Sequence, residues 1–288
     1  MGRHLTWSKV YLLFFLWQTF PPSVPAFLPS LRCGKKSSTQ VGLQSRTFHQ
    51  FSLKMTDTDF LEGQIILLDK PLDWTSFQAV NKLKFKLKKE FNLPKKFKIG
   101  HAGTLDPRAT GLLIICTGKF TKIIPEIQDA PKEYFTEIKI GVQTESYDTE
   151  KPEILHQDIS PITEEQIKET LGKFLGEIDQ KPPIFSAIKI EGNRAYDLAR
   201  AGKEVEMKSR KTTINYIKDI DIELPFVRFT VGCSKGTYIR SLAHDIGQDL
   251  EVGAYLTNLR RTKIGEYTIE NASSDYLENE YSFINFNQ

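Results

Sequence analysis

Cysteine is scarce: three residues in 288, at positions 33, 116 and 233. None belongs to a CxxC pair, so a zinc ribbon or a disulfide framework is not expected. Cys116 and Cys233 lie in or beside apolar, strand-like runs and read as buried free thiols. The chain also offers no glycine-rich phosphate loop and no ligand cluster at metal spacing. No internal repeat is visible. Acidic residues are missing altogether from the first 55 positions, which carry seven Lys or Arg and no Asp or Glu. That asymmetry hides the sign of the rest. The formal net charge is +3, yet residues 56–288 hold 32 basic and 36 acidic side chains. Bulk charge therefore announces no nucleic-acid partner, which must be read from local clustering.

The acid-free leader has two parts. Val10 to Trp17 (VYLLFFLW) follows Arg3 and Lys9 and is too short to span a bilayer comfortably. Small and kinked residues follow, and Leu31 to Met55 is basic and rich in Ser and Gln. This reads as a cleavable two-part import sequence. It resembles the plastid presequences of algae whose plastids lie behind extra membranes, where a phenylalanine such as Phe27 follows the cleavage site. The expected compartment is the plastid stroma, with the mitochondrion as the alternative. No stable membrane association is expected after import.

Two glycines, a histidine, an aspartate and a proline fall within Gly100-His101-Ala102-Gly103-Thr104-Leu105-Asp106-Pro107. Glycine relieves backbone sterics and proline fixes φ, so the stretch reads as a shaped loop. The apolar run Ala109 to Thr117 (ATGLLIICT) must then be buried. A rigid loop pinned to a buried segment can hold an acid and an imidazole still. On spacing alone, Asp106 is as readily a turn or helix cap.

Elsewhere, Gly63 to Asp69 reads as a buried strand and Thr75 or Ser76 as the cap of a helix. Phe77, Val80, Leu83 and Leu87 recur on that helix at helical spacing. Eight lysines lie between Lys82 and Lys98, with Phe85, Phe91 and Phe97 interleaved. This is either a solvated face or a phosphate-contacting one carried by residues such as Lys82, Lys86 and Lys89. Glu133 to Gly141 alternates as a half-buried strand. Thr163 caps a helix expected over Glu164 to Ile178. Val205 to Arg210 and Thr213 to Tyr216 read as short strands, and Phe226 to Cys233 as a strong one. A helix is expected over Ser241 to Leu250, and a last strand around Gly265 to Ile269. Strands and helices mix without βαβ alternation, so the fold class is α+β with a mostly antiparallel sheet.

Four ordered stretches carry a resemblance. GHAGTLDPRATGLLIICTGKFTK, LLDKP at Leu67 to Pro71, SAIKIEGNRAYDLARAG at Ser186 to Gly202, and CSKGTYIRSL with LRR at Leu259 to Arg261 span nearly all of residues 63–269. Together they resemble the TruB family of RNA pseudouridine synthases. The resemblance implies a single catalytic domain, here residues 56–270, around a long bent sheet with a central RNA cleft. The polar tail, residues 271–288, is too short for the C-terminal RNA-binding domain that many bacterial members add. The implied reaction is an isomerisation that detaches uracil from its ribose, turns it and rejoins it through carbon 5, with no net redox or group transfer, so neither a nicotinamide cofactor nor a metal is required. Its expected target is uridine 55 in the T loop of tRNA, with tRNA as the partner and the enzyme a monomer; the alternatives are a tRNA-binding or tRNA-folding protein with weak or no catalysis, and a guide-RNA-dependent relative.

The resemblance also distributes roles. Asp106 is the nucleophile, or the group that promotes a glycal. Arg240 is its charge partner and Asp148 the acid that contacts Arg240, although Thr144 to Asp148 reads TESYD where the family more usually has TDTxD. Tyr134 stacks on the flipped uracil and helps to remove a proton, Tyr238 lines the same pocket, and His101 helps extrude the base or meets its phosphate. Lys70 and Lys189 support the pocket or backbone. Phe185 stands where the family often has tyrosine.

Overall fold

The computed structural model describes residues 56–186, 188–190, 193–195 and 207–278. The leader and residues 279–288 lie outside that range, and so does most of the middle motif. The chain opens with α1 (Asp57–Glu62), β1 (Ile65–Lys70), α2 (Ser76–Glu90), β2 (Ile99–His101) and β3 (Ala109–Thr117). A 3-10 turn leads into α3 (Ile124–Asp129) and β4 (Lys132–Ile140). Short β5 (Gln143–Thr144) and β6 (Glu153–Ile154) precede α4 (Glu164–Lys173), β7 (Gly176–Gln180), β8 (Lys189–Ile190) and β9 (Asn193–Arg194). The last part holds β10 (Arg210–Glu223), β11 (Phe226–Cys233), α5 (Ile239–Asp249), β12 (Ala254–Ile264), β13 (Tyr267–Thr268) and α6 (Asp275–Glu278).

One nine-stranded sheet dominates, in the order β1-β3-β12-β4-β11-β10-β7, with β2 beside β3 and β13 beside β12. Every neighbouring pair is antiparallel except β3 with β12, so the sheet is mixed but mostly antiparallel, in an α+β fold. The apolar run of β3 is buried on both faces. Leu113 and Ile115 pack under α1 and α2, while Leu112, Ile114 and Cys116 face a second core with Ile127 and Ile264. A period of two thus feeds two cores from one strand, which is why its sequence does not alternate. The largest core lies under α4 and α5, against β4, β10, β11 and β12. Cys116 and Cys233 are buried free thiols.

Several local expectations change. Gly100 and His101 sit in β2, paired to Cys116 and Ile115, so the loop starts only at Ala102. The helix expected to reach Ile178 stops at Lys173. Gly176 then takes φ +91°, a left-handed conformation that glycine tolerates, and the chain turns into β7. The region from Arg210 to Tyr216, read as parts of two short strands, is one 14-residue strand, β10. LTNLRR lies within the 11-residue β12, not before the last strand. Phe77 is 71% exposed rather than part of the core face of α2. The start of the polar tail is tied to the body. Ser273 bonds both sides of Leu68 on β1, and Leu277 is buried with α2.

Candidate active site

The loop between β2 and β3 is fastened from behind. Thr75 caps α2 through a reciprocal box with Gln78, which leaves the next residue, Ser76, free for another task. The buried Ser76 hydroxyl donates to Leu105 O at 3.0 Å and accepts from Leu105 N at 2.8 Å. Leu105 itself is 3% exposed and packs into the largest core. On the other side stands Arg261, 1% exposed. Its guanidinium donates to the carbonyls of Gly103 at 3.0 Å, Thr104 at 3.4 Å and Leu112 at 2.8 Å. Gly111 lets it come this close. A Cβ there would lie 2.4 Å from the Arg261 carbonyl oxygen, and its φ is +98°. The ladder with β4 shifts register beside Arg261, a bulge of the kind that re-aims side chains near active sites.

So held, Asp106 leaves its side chain 39% exposed while its partner is sealed. Arg240 Nη2 lies 2.9 Å from Asp106 Oδ2, and the arginine side chain is 5% exposed. The same guanidinium lies 3.7 Å from Asp148 Oδ2 and donates to Phe185 O at 3.0 Å and Ser146 O at 3.4 Å. Arg240 sits in the first turn of α5, where the helix dipole repels a cation. Two carboxylates and two carbonyls offset that cost and its desolvation. Asp148 is in turn fixed by Glu150 N–H on its Oδ1 at 2.9 Å.

Asp106 opens into a cleft of about 300 Å³, walled by Tyr134, Tyr238, Arg240 and Arg261 and floored by Leu259. That is the size class of a pocket for one small ligand. Tyr134 lies on β4 directly opposite Arg261 in the ladder. Burial pushes its phenol above the ordinary range, against the pull of Arg261. Tyr238 is clamped through its backbone, with N–H to Gln180 Oε1 at 2.8 Å and C=O from Gln180 Nε2 at 3.0 Å. Lys70, fully buried at the end of β1, donates to Pro71 O at 2.8 Å and Trp74 O at 2.7 Å, and so braces the turn that leads to Ser76. Burial lowers its pKa to about 8, although Asp106 and Asp73 oppose the shift.

Asp106, Tyr134, Tyr238, Arg240 and Asp148 therefore converge, with Lys70 behind the loop. The other expected site residues do not join them. His101 is half-buried in β2 and is not part of the cleft wall. Burial lowers its pKa, as does the charge of Arg261. Lys82 and Lys89 are exposed on α2 and away from the cleft lining. Lys86 is 9% exposed, with its ammonium 3.3 Å from Asp275 O, so it is not an open phosphate contact. The Lys189 side chain lies outside the described residues, although its backbone forms β8. Arg261 lies in the LRR stretch, to which the sequence assigns no role. Its signal was weak, an arginine in a strand-like run with nothing to mark its burial.

Residues 88–239 match the family model described as TruB family pseudouridylate synthase (N terminal domain), and residues 240–286 match the tRNA pseudouridylate synthase B C-terminal domain. The described part of the second match supplies α5, β12 and β13. A tRNA pseudouridine synthase B of Flavobacterium johnsoniae is 59% identical over 218 residues, covering 76% of this chain and 95% of that protein. One of Parabacteroides distasonis is 49% identical over 225 residues, with 76% and 95% covered. A chain from the crystal structure of a Cbf5-Nop10-Gar1 complex is similar at a TM-score of 0.58 and 32% identity, covering 76% of this chain. This chain spans about half of that solved chain, 54%. An open aspartate held by a buried arginine in a one-ligand cleft, on a sheet whose residues match this model from α2 to α5, leads to one assignment: the chain belongs to the TruB family of pseudouridylate synthases.

Proposed function

We propose that this protein converts uridine 55 in the T loop of tRNA to pseudouridine, with Asp106 as nucleophile. The observation that carries the reading is the asymmetric ion pair: Asp106 is open to the cleft while Arg240 is sealed beneath it. The names of the bacterial relatives support tRNA as the substrate.

The reaction breaks the C1′–N1 bond, forms C1′–C5, and moves a proton from C5 to solvent while N1 regains one. Asp106 needs only to meet C1′ with its carboxylate, and Arg240 holds that carboxylate in place through the 2.9 Å ion pair. Tyr134 gives the detached ring a surface to turn on. Burial raises the pKa of its phenol, against the pull of Arg261. Base extrusion costs a few kcal/mol, and contacts of RNA with the protein outside the cleft supply it. The exposed Lys82 and Lys89 of α2 serve that purpose as phosphate contacts. By its leader, the protein works in the plastid stroma, which a fluorescent fusion of residues 1–55 tests directly.

The decisive experiment is Asp106→Asn assayed on a bare tRNA transcript. Pseudouridine formation is abolished while tRNA binding survives. Turnover retained by this variant removes Asp106 from the role of nucleophile. Activity that requires an added guide RNA overturns the stand-alone reading.

A further inference from the structure

Tyr147 lies outside the cleft, yet it sits between the two residues of the β5–β6 turn that touch Arg240. Ser146 offers its carbonyl and Asp148 its carboxylate. Tyr147 takes φ +63°, a left-handed conformation costly for an aromatic residue. Something must over-determine it. Two backbone bonds contribute: Tyr147 N–H donates to Thr144 O at 3.3 Å, and Leu256 N–H donates to Tyr147 O at 3.0 Å. The side chain adds a third restraint. Its ring stacks on His244 with centroids 3.9 Å apart and planes 12° from parallel.

His244 is on α5, four residues after Arg240, hence one turn along the same helix face. Burial lowers the pKa of His244, so the stack joins two neutral rings at neutral pH. The turn is therefore attached to α5 at two successive levels, through Arg240 and through the ring pair.

We propose that Tyr147 is a positioning residue for the reaction: stacked on His244, it latches the Thr144–Asp148 turn to α5 and so sets the guanidinium of Arg240 against Asp106. Without the ring the turn is free to relax from its left-handed kink, and Asp148 and Ser146 O withdraw from Arg240. The arginine then follows Asp148, and Asp106 loses its alignment. The other cleft walls, Tyr134, Tyr238 and Arg261, and the outer RNA contacts are untouched, so the defect falls on the chemical step and not on binding.

This rests on the pseudouridine synthase reading of the cleft, and the test separates the two. Single-turnover rate on a tRNA transcript, tRNA Kd and Tm are measured for the wild type, Tyr147→Ala, Tyr147→Phe, His244→Ala and the Tyr147→Ala/His244→Ala double variant. Tyr147→Ala slows the step by about tenfold or more, because small misplacements of reacting groups are this costly. Its Kd stays within about twofold of wild type. Tyr147→Phe, which keeps the ring, restores the rate, and the double variant is no slower than the slower single one. An unchanged rate in Tyr147→Ala overturns the latch while the activity stands. So does a double variant whose losses multiply, or a Phe variant as slow as Ala. A wild-type chain inactive on tRNA overturns the activity and the latch with it.

Discussion

Arg240 and Asp106 are 2.9 Å apart, but only the arginine is buried: the side chains are 5% and 39% exposed. The cation is paid for by the protein interior and the anion is presented to the cleft. Losing the carboxylate therefore costs chemistry, whereas losing the arginine costs chemistry and fold together.

Arg240→Lys keeps the charge but not the fork that reaches Asp106, Asp148, Ser146 O and Phe185 O at once. Its kcat falls roughly 100-fold or more, by loss of placement at the reacting atoms. Arg240→Met additionally leaves Asp148 buried without its cation and lowers stability by about 3–5 kcal/mol. Urea unfolding of both variants, beside single-turnover assays, checks the split. A Met variant as stable as wild type contradicts it.

Arg261→Met removes the donor to three carbonyls, at Gly103, Thr104 and Leu112. Leaving buried acceptors unmet costs about 1–3 kcal/mol each where water cannot replace the donor. The expected outcome is a destabilised enzyme with little activity. Amide exchange should speed up in residues 102–108 more than in β4. Unaltered exchange in the loop shows that Ser76 suffices to hold it.

Asp245 gives a pH dependence with a definite sign. Burial raises its carboxyl from 3.8 to about 6. The folded state therefore keeps a proton that the unfolded chain releases first, and this contribution is lost as pH rises through about 6. Asp245→Asn stays neutral, so its stability relative to wild type rises from about pH 4 to 6 and is level above that. Denaturant curves across that range test it. A difference independent of pH rules out the buried acid as its source.

Replacing Lys82 and Lys89 with Ser removes two exposed charges from α2. If both meet phosphates, tRNA affinity drops and the slope of log K against log salt is shallower by about 1–2. An identical slope returns them to the role of a solvated face.

Features with a local cause were readable from the chain. Thr75 and Gln78 form a capping box, β11 spans Phe226–Cys233 as expected, and Glu133 to Ile140 alternates because only one face of β4 is buried. Features with a non-local cause were not. β12 carries Asn258, Arg260, Arg261 and Lys263, which look unlike a central strand, yet β3 and β4 flank it on either side. Gly100 reads as part of a shaped loop. It is a strand residue beside Ile124, whose Cδ1 would lie 3.0 Å from any added Cβ. Lys86 looked like part of a basic face and instead reaches Asp275 O, 189 residues away in the chain.

The sequence alone determined the reaction class, because its four ordered motifs, GTLDP and TYIR among them, stand in an order and spacing that match the TruB family. It also determined the shape of the loop, through a glycine free of backbone sterics and a proline with fixed φ. Only the tertiary structure decided which charges are sealed and which are open. Arg240 and Arg261 are both arginines in short motifs, and nothing local says that one grips Asp106 while the other grips the loop behind it. Burial belongs to what packs around a side chain, and here that is supplied by β3, β4 and the turn at Asp148, which are distant in sequence and adjacent only once the sheet has closed.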